Sequence, residues 1–351
     1  MLIDRKLRGM QIKTLDQSVT GRWDQFVATC EQATFFHRAG WQRVIEQSFA
    51  HRTYFLYAEE GRAIQGVLPL VHIKHPLFGN SLSSTAFCVY GGPATNSPAA
   101  AQALNDAAIK LAADLDVDHL EYRQIESATP TGFREKADLY VTFRKPIDAD
   151  VERNMLAVPR KQRAMIRKGI KFGLTSEVDA DASRLHRVYA ESVRNLGTPV
   201  FSCRYFEELK REFGDACEIL TIIHDGKPVA GVMNFYFRDE VLPYYGGGTA
   251  AARALAANDF MYWEVMRRAC ERGYRLFDFG RSKQGTGAFD FKKNWGFTPM
   301  PLRYQYLLRR GDRLPELNPS NPKYRLAIAL WKRLPLPIAN LLGPHIVRNL
   351  G

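Results

Sequence analysis

The sequence predicts an α/β (α+β) protein built from two tandem copies of one domain. Each copy is a mixed, mostly antiparallel sheet flanked by helices, and a C-terminal tail follows. Three observations lead there. The order of elements repeats. Short stretches match between the halves: "EEGRAIQGVLPL" lies over "HDGKPVAGVMNF", and "VYGGP" over "YYGGG". The spacing also repeats, since Gly91 to Tyr122 and Gly246 to Phe277 both span 31 residues. A period this long implies tandem domains rather than a solenoid.

In the first half, "GWQRVIEQSF" carries Trp41, Val44, Ile45 and Phe49 at helical spacing. "TYFLYAEEGRAIQGVLPLVHI" reads as strand, Glu60-Gly61 turn, strand. "FCVYGGP" reads as a further strand ending in glycines, "ALNDAAIKLAADLDV" as a helix and "DHLEYRQI" as a strand. The second half repeats this order. "CRYFEELKREFG" is its first helix, and "EILTIIHDGKPVAGVMNFYF" a hairpin around Asp225-Gly226. "VLPYYGGG" is a strand, "DFMYWEVMRRACERGY" the long helix and "RLFDFG" the last strand. The expected domains are 1–150 and 151–310, the second opened by a basic helix over 159–173. A Pro-rich tail covers 311–351.

Bulk properties narrow the partners. The net charge of +12 favours anionic ones: nucleic acid, phosphorylated or nucleotide-linked substrates, or an acidic membrane surface. The five cysteines are scattered, with no C-x-x-C pair, which argues against a zinc site or a disulfide framework. With no apolar signal-like segment at the N-terminus and no apolar run of spanning length, a cytoplasmic protein is expected.

Two segments carry charge in an unusual density. "VPRKQRAMIRKGIKFGL" holds six basic residues and no acidic one between Arg160 and Lys171. On a helix Arg163, Arg167 and Lys171 share a face and repel unless an anion offsets them. A solvated basic face is the plain reading, and a site for diphosphate or RNA backbone the functional one. "FDFGRSKQGTGAFDFKKNWGF" runs from a strand into a glycine loop and two lysines. It is not a P-loop, because Thr286 stands where the lysine is required. No nucleophile elbow and no Cys–His pair can be singled out.

The order of elements in each half resembles the acyltransferase fold of the N-acetyltransferase (GNAT) superfamily, in which one strand splays from its neighbour and the acyl donor lies in the gap. "GGGTAAARALAANDF" lacks the [QR]-x-x-G-x-[GA] loop of that superfamily, which argues against a plain acetyl-CoA enzyme. More specifically, "PRKQRAMIRKGIKFGL", "FDFG" with "FDFKKNWGF", and "ATFFHRAGW" are similar to segments of the Fem-type aminoacyltransferases. The likeness runs over roughly 22–310, and is nearest to FemAB-like proteins that accompany exosortase (PEP-CTERM) and exopolysaccharide systems. It implies tandem GNAT-like domains and transfer of an acyl or aminoacyl group to an amine of an envelope saccharide or peptidoglycan-like precursor. No long heptad arm is present, which leaves the donor open between aminoacyl-tRNA and acyl-CoA. No bound cofactor or metal is expected.

The resemblance places Lys292 at the family's F-K lysine, offsetting charge on the carbonyl oxygen, with Lys293 as rival. Asp278, at the end of a core strand, is the candidate proton acceptor or holds Arg281. Arg163 and Arg167 are candidates for the precursor's phosphates. Tyr245, Gly246 and Gly247 are candidates to line the donor gap. Asn258, expected with Asp259 at the start of the long helix as an N-cap, and Trp295, as a stacking ring, complete the set. A CoA-dependent N-acyltransferase on a nucleotide sugar, and a silent anion- or RNA-binding module, are the alternatives. The tail mixes apolar and basic residues, which suits packing across the domains or resting on the acidic inner face of a membrane.

Overall fold

In the computed structural model, residues 9–76, 78–125, 129–137, 139–315 and 322–351 are described. In chain order the first elements are β1 (Met10–Thr14), α1 (Thr20–Thr29), α2 (Gly40–Phe49), β2 (Arg52–Glu60), β3 (Ala63–His75), β4 (Gly79–Ser84), β5 (Ala94–Thr95), α3 (Pro98–Asp114), β6 (His119–Gln124) and β7 (Arg134–Lys136). There follow β8 (Tyr140–Pro146), α4 (Val151–Ala157), α5 (Arg160–Lys171), β9 (Thr175–Asp179), α6 (Ser183–Leu196), α7 (Cys203–Phe213), β10 (Cys217–His224), β11 (Lys227–Phe237) and β12 (Glu240–Gly248). The last are α8 (Ala257–Glu271), β13 (Leu276–Asp278), β14 (Ser282–Lys283), α9 (Gly287–Asn294), β15 (Pro299–Pro301), β16 (Arg303–Leu308), α10 (Pro322–Trp331) and α11 (Leu336–Val347).

Two compact units result, and they divide the chain differently from the expected boundaries at 150 and 310. One unit holds 1–139, 302–315 and 349–351; the other holds 140–301 and 316–348. The reason is strand exchange. The first sheet runs β1-β2-β3-β4-β6-β16-β7, with β5 on β3, and so takes β16 from near the end of the chain. The second runs β14-β8-β13-β12-β11-β10-β9, with β15 on β8, and so takes β8 from before its own repeat. Within each sheet the repeat is plain: an antiparallel hairpin, a third strand, a long helix, and a strand returning parallel to the third, β4 with β6 and β12 with β13.

The hairpins follow from turn chemistry. Gly61 (φ +63°) and Gly226 (φ +72°) take the left-handed conformation that two-residue hairpin loops need. In the first unit α3 buries Ala100, Leu104, Ala108 and Ala112, one row at i, i+4, i+8, i+12, over Leu56, Leu68 and Leu82 of the sheet. In the second unit α8 buries residues nearly all round, among them Phe260, Met261, Trp263, Val265 and Met266. Such a helix is covered on two sides; the sheet takes one and α5 presses on another, with Gly169 against the Phe260 side chain.

One element departs from expectation. "FCVYGGP" is not a strand. The third strand of the first unit is Gly79–Ser84, and the chain is irregular from there to β5. Thr85 (φ 44°), Phe87 (φ 69°) and Gly92 (φ +107°) take left-handed angles that no strand accommodates.

Candidate functional site

The second unit carries the site, where β12 and β13 part. These parallel strands pair only at Glu240–Leu276 and Val241–Phe277, although β12 runs on to Gly248. Beyond Phe277 the chain stays with β8 instead: Asp278 faces Arg144, the Phe279 N–H donates to the Phe143 carbonyl at 2.8 Å, and Ser282 faces Val141. A wedge therefore opens between the end of β12 and the loop after β13. On the wedge's other wall, Met233 pairs with Tyr245 and Asn234 with Pro243, so Tyr244 is the extra residue of a β-bulge. Extending the β12–β13 register brings Gly280 level with this bulge.

Lys292 reaches into that level from α9. It is buried, and its Nζ donates to the carbonyls of Gly280 at 3.0 Å and Arg281 at 3.1 Å. Gly280 takes φ +67°, which turns the chain so that both carbonyls can be offered. The rings of Phe143 and Phe279 lie 5.8 and 6.0 Å from the Nζ. Burial pushes the ammonium down to about 7; the charge of Asp278 opposes that fall and Arg281 adds to it. Two N–H groups are thus engaged, and the third position on nitrogen carries either a proton or a lone pair near neutrality. Lys293, the next residue, is exposed.

Asp278 is wholly buried at the end of β13. Its carboxylate accepts the Gly280 N–H at 2.6 Å and the Thr142 hydroxyl at 3.4 Å, and its Oδ2 lies 3.2 Å from Arg144 Nε. It fixes the loop whose carbonyls hold Lys292, which makes it a positioning group rather than a proton acceptor facing a substrate. Arg144 also pairs with Glu240. The Glu240 carboxyl is held well above the usual range, by burial first and the charge of Asp278 second, with Arg144 opposing. Arg281 stacks its guanidinium over the Tyr140 ring at 4.5 Å.

Several expected residues belong to the core. Trp295 is fully buried, with its indole N–H on Asp259 Oδ1 at 3.0 Å, so it is not a ring offered to a substrate. Burial raises the Asp259 carboxyl and that bond lowers it. Tyr245 is buried, shares a hydrogen bond of 2.8 Å with the Tyr205 hydroxyl, and packs edge-on to Phe206. The bulge turns it toward α6 and α7, away from α8. Asn258 and Asp259 are not the N-cap: that is Ala256, which offers no side-chain bond to the helix. Asn258 Oδ1 is buried with no hydrogen-bond partner, beside Gly248.

The glycine run works by close approach. A Cβ on Gly247 would lie 2.7 Å from Ser192 Cβ, and one on Gly246 3.0 Å from the Tyr262 hydroxyl. Gly247→Val is therefore expected to cost about 1–3 kcal/mol through overpacking, read as a lower urea midpoint. Tyr262, which the sequence reading did not single out, spans the wedge from Gly246 to Phe279 and Phe291, with ring centroids 4.9 and 5.5 Å away. Burial lifts its phenol to about 12.

Alongside lies α5. Ile166 and Gln162 are buried, Arg163 is half-buried, and Arg167, Lys168 and Lys171 are exposed. Arg163 Nε is buried without a hydrogen-bond partner. The start of α5 sits by the end of α9, Pro159 touching Gly296, and Gly169 sits by Phe260 in the first turn of α8. The buried face of α5 packs on the first turn of α8, and Arg167, Lys168 and Lys171 point to solvent.

Residues 158–293 match the family model Acetyltransf_6, described as an acetyltransferase (GNAT) domain. No curated protein sequence matches the chain. Among solved structures, FemX aligns with a TM-score of 0.69 at 14% identity, over 91% of this chain and 100% of that one. The C-terminal domain (DUF2156) of an Agrobacterium fabrum protein described as a lysylphosphatidylglycerol synthetase aligns at 0.57 and 15%, over 90% and 95%. A tandem GNAT protein from the clavulanic acid biosynthesis pathway aligns at 0.53 and 14%, over 87% and 100%. At these identities the likeness is one of fold. Two mixed sheets flanked by helices form a tandem GNAT-like architecture, and 158–293 is the stretch of it that matches the GNAT domain model.

Proposed function

We propose that the chain is an N-acyltransferase that moves an acyl or aminoacyl group onto an amine of a phosphate-linked cell-envelope precursor, a saccharide or peptidoglycan-like molecule used in envelope polymer assembly. The observation that carries this reading is Lys292, a buried lysine held by two backbone carbonyls where β12 and β13 part, in surroundings that push its ammonium down to about 7. The resemblance to Fem-type aminoacyltransferases and the fold likeness to FemX favour an aminoacyl donor.

The acceptor amine attacks the donor's carbonyl carbon. A tetrahedral oxyanion forms, then collapses, breaking the bond to the donor's oxygen or sulfur, and the amine's proton leaves with that group. The Lys292 ammonium, its third N–H unengaged, offsets the oxyanion charge in a site lined by Phe143 and Phe279. Asp278 and Arg144 hold the loop that fixes it. Arg163 and Arg167 of α5 receive the phosphates of the donor or precursor. Arg163 Nε, buried with no hydrogen-bond partner among the described residues, is a donor available to such a phosphate.

A second reading keeps the chemistry and changes the donor to an acyl-CoA, favoured by the Gly246–Gly248 run at the wedge. Mass spectrometry separates them. The purified protein is mixed with an envelope-precursor extract and either aminoacyl-tRNA or acyl-CoA, beside Lys292→Ala. A product from one donor class, absent with the variant, establishes the enzyme and its donor. No product from either, with salt-sensitive RNA or polymer binding retained by both proteins, would replace it with an anion-binding module.

Arg163→Ala with Arg167→Ala should raise KM for the phosphate-bearing substrate about tenfold or more, from loss of charge-assisted bonds, with kcat within about threefold. Steady-state kinetics at two salt concentrations checks this, since the wild-type KM should rise with salt more steeply than that of the variant.

A further inference from the structure

The two C-terminal helices carry an apolar surface that the acyl-transfer reading does not use. On α11, Ala339, Gly343 and Val347 form a buried seam, and Gly343 sits against the Val200 backbone, where a Cβ would lie 2.8 Å from its carbonyl oxygen. The opposite face shows Ile338, Leu341 and Leu342, at i, i+3, i+4, with Leu341 69% exposed. On α10, Ile328 faces Gly197 at the end of α6, while Leu326 (72% exposed) and Leu330 point outward. Leu196, beside Gly197, is 69% exposed as well. The pair of helices is fastened rather than loose: Arg194 Nη1 donates to the Lys332 carbonyl at 3.2 Å. Six large apolar side chains thus lie open within one short region of the second unit.

Charge identifies the occupant. From Leu317 to Gly351 the sequence has Lys323, Arg325, Lys332, Arg333 and Arg348, and no aspartate or glutamate. Lys332 and Arg333 sit in the turn joining the two helices and are exposed. Exposed leucines interleaved with cations, on short helices, are what the interface of an anionic bilayer takes up: the apolar groups enter the acyl boundary and the cations meet the headgroups. The helices are 10 and 12 residues long, and no helix among the described residues is long and apolar enough to cross a membrane. They can therefore lie on the surface only. We propose that the outward face of α10 and α11 docks the protein on an anionic phospholipid bilayer. This does not depend on the acyl-transfer reading.

The test is vesicle co-sedimentation of the full chain with phosphatidylcholine alone and with phosphatidylcholine mixed with phosphatidylglycerol. Leu330→Ser/Leu341→Ser/Leu342→Ser removes apolar groups without touching charge, and Lys332→Glu/Arg333→Glu reverses charge without touching the apolar face. Thermal melts matching wild type confirm that both variants fold. The expected result is binding to the anionic vesicles that weakens at least tenfold in each variant, with little binding to phosphatidylcholine. Three outcomes overturn the proposal: no binding to either vesicle, binding unchanged by the leucine substitutions (which assigns it to the general net charge), or a dimer in analytical ultracentrifugation that those substitutions dissolve. The last would make a second copy of this chain the occupant.

Discussion

Lys292→Met is expected to lower kcat by roughly 10²–10³, the usual loss when one oxyanion donor is removed, while substrate KM changes little. The side chain is replaced by an apolar one of similar length in a buried setting beside Phe143 and Phe279, so the fold should persist, which a thermal melt checks. Lys293→Ala, at an exposed position, should stay within about threefold of wild type. The pH profile gives the sharper reading. If the ammonium is the working form, kcat must fall as pH rises through about 7, where burial places its titration. Lys292→Arg, whose guanidinium stays charged throughout, should lose that decline even if its wider fork costs rate. A wild-type kcat that instead rises through pH 7, with the rise lost in Lys292→Met, would assign the neutral amine as a base taking the acceptor's proton. A Lys292→Met enzyme within threefold of wild type would remove Lys292 from the chemistry altogether.

Much of this architecture is legible in the sequence, and for identifiable reasons. Hairpins are local, so Glu60-Gly61 and Asp225-Gly226 announce them. The long helices declare themselves by apolar spacing. The exchange of β8 and β16 is not legible, because β8 reads as a strand without saying which sheet it joins; its partner β13 is more than 120 positions away. The environment of Lys292 escapes for a related reason. Lysine is almost never fully buried, and burial here depends on Phe143 from one strand and Phe279 from another. A signal was nonetheless present. "YVTFRKP" and "EVLPYYGGG" are largely apolar strands that admit charge in their paired stretch, Arg144 with Lys145 in the first and Glu240 in the second. A charge in such a strand calls for a counter-charge, and Asp278 was already in view. Trp295 misleads in the opposite sense. An aromatic beside lysines and glycines reads as a stacking ring, but its indole N–H finds Asp259 on α8 and the ring closes the core.

The largest structural prediction concerns Asp278, the group on which the rest of the site leans. Asp278→Ala should cost about 3–5 kcal/mol, the usual penalty for breaking a buried ion pair, read as a fall in the urea midpoint. The Gly280 N–H and Arg144 both lose their carboxylate. Asp278→Asn is the more informative variant, because it keeps shape and an acceptor oxygen while removing the charge. That charge raises the titration of Lys292 and of Glu240 alike. Its removal must therefore lower both. Lys292 should lose its proton at a pH below the wild-type value of about 7, so the kcat decline should begin at lower pH. Glu240 should ionise more readily, pairing with an Arg144 it no longer shares. If Lys292 works as a cation, Asp278→Asn is then slower than wild type at pH 7 and approaches it as pH falls. If Lys292 works as a base, the variant reaches its plateau earlier and is no slower at neutral pH. A pH profile unmoved by this substitution would mean that the charge of Asp278 is not felt at the titrating group, and that the buried lysine and the buried aspartate do not act as one site.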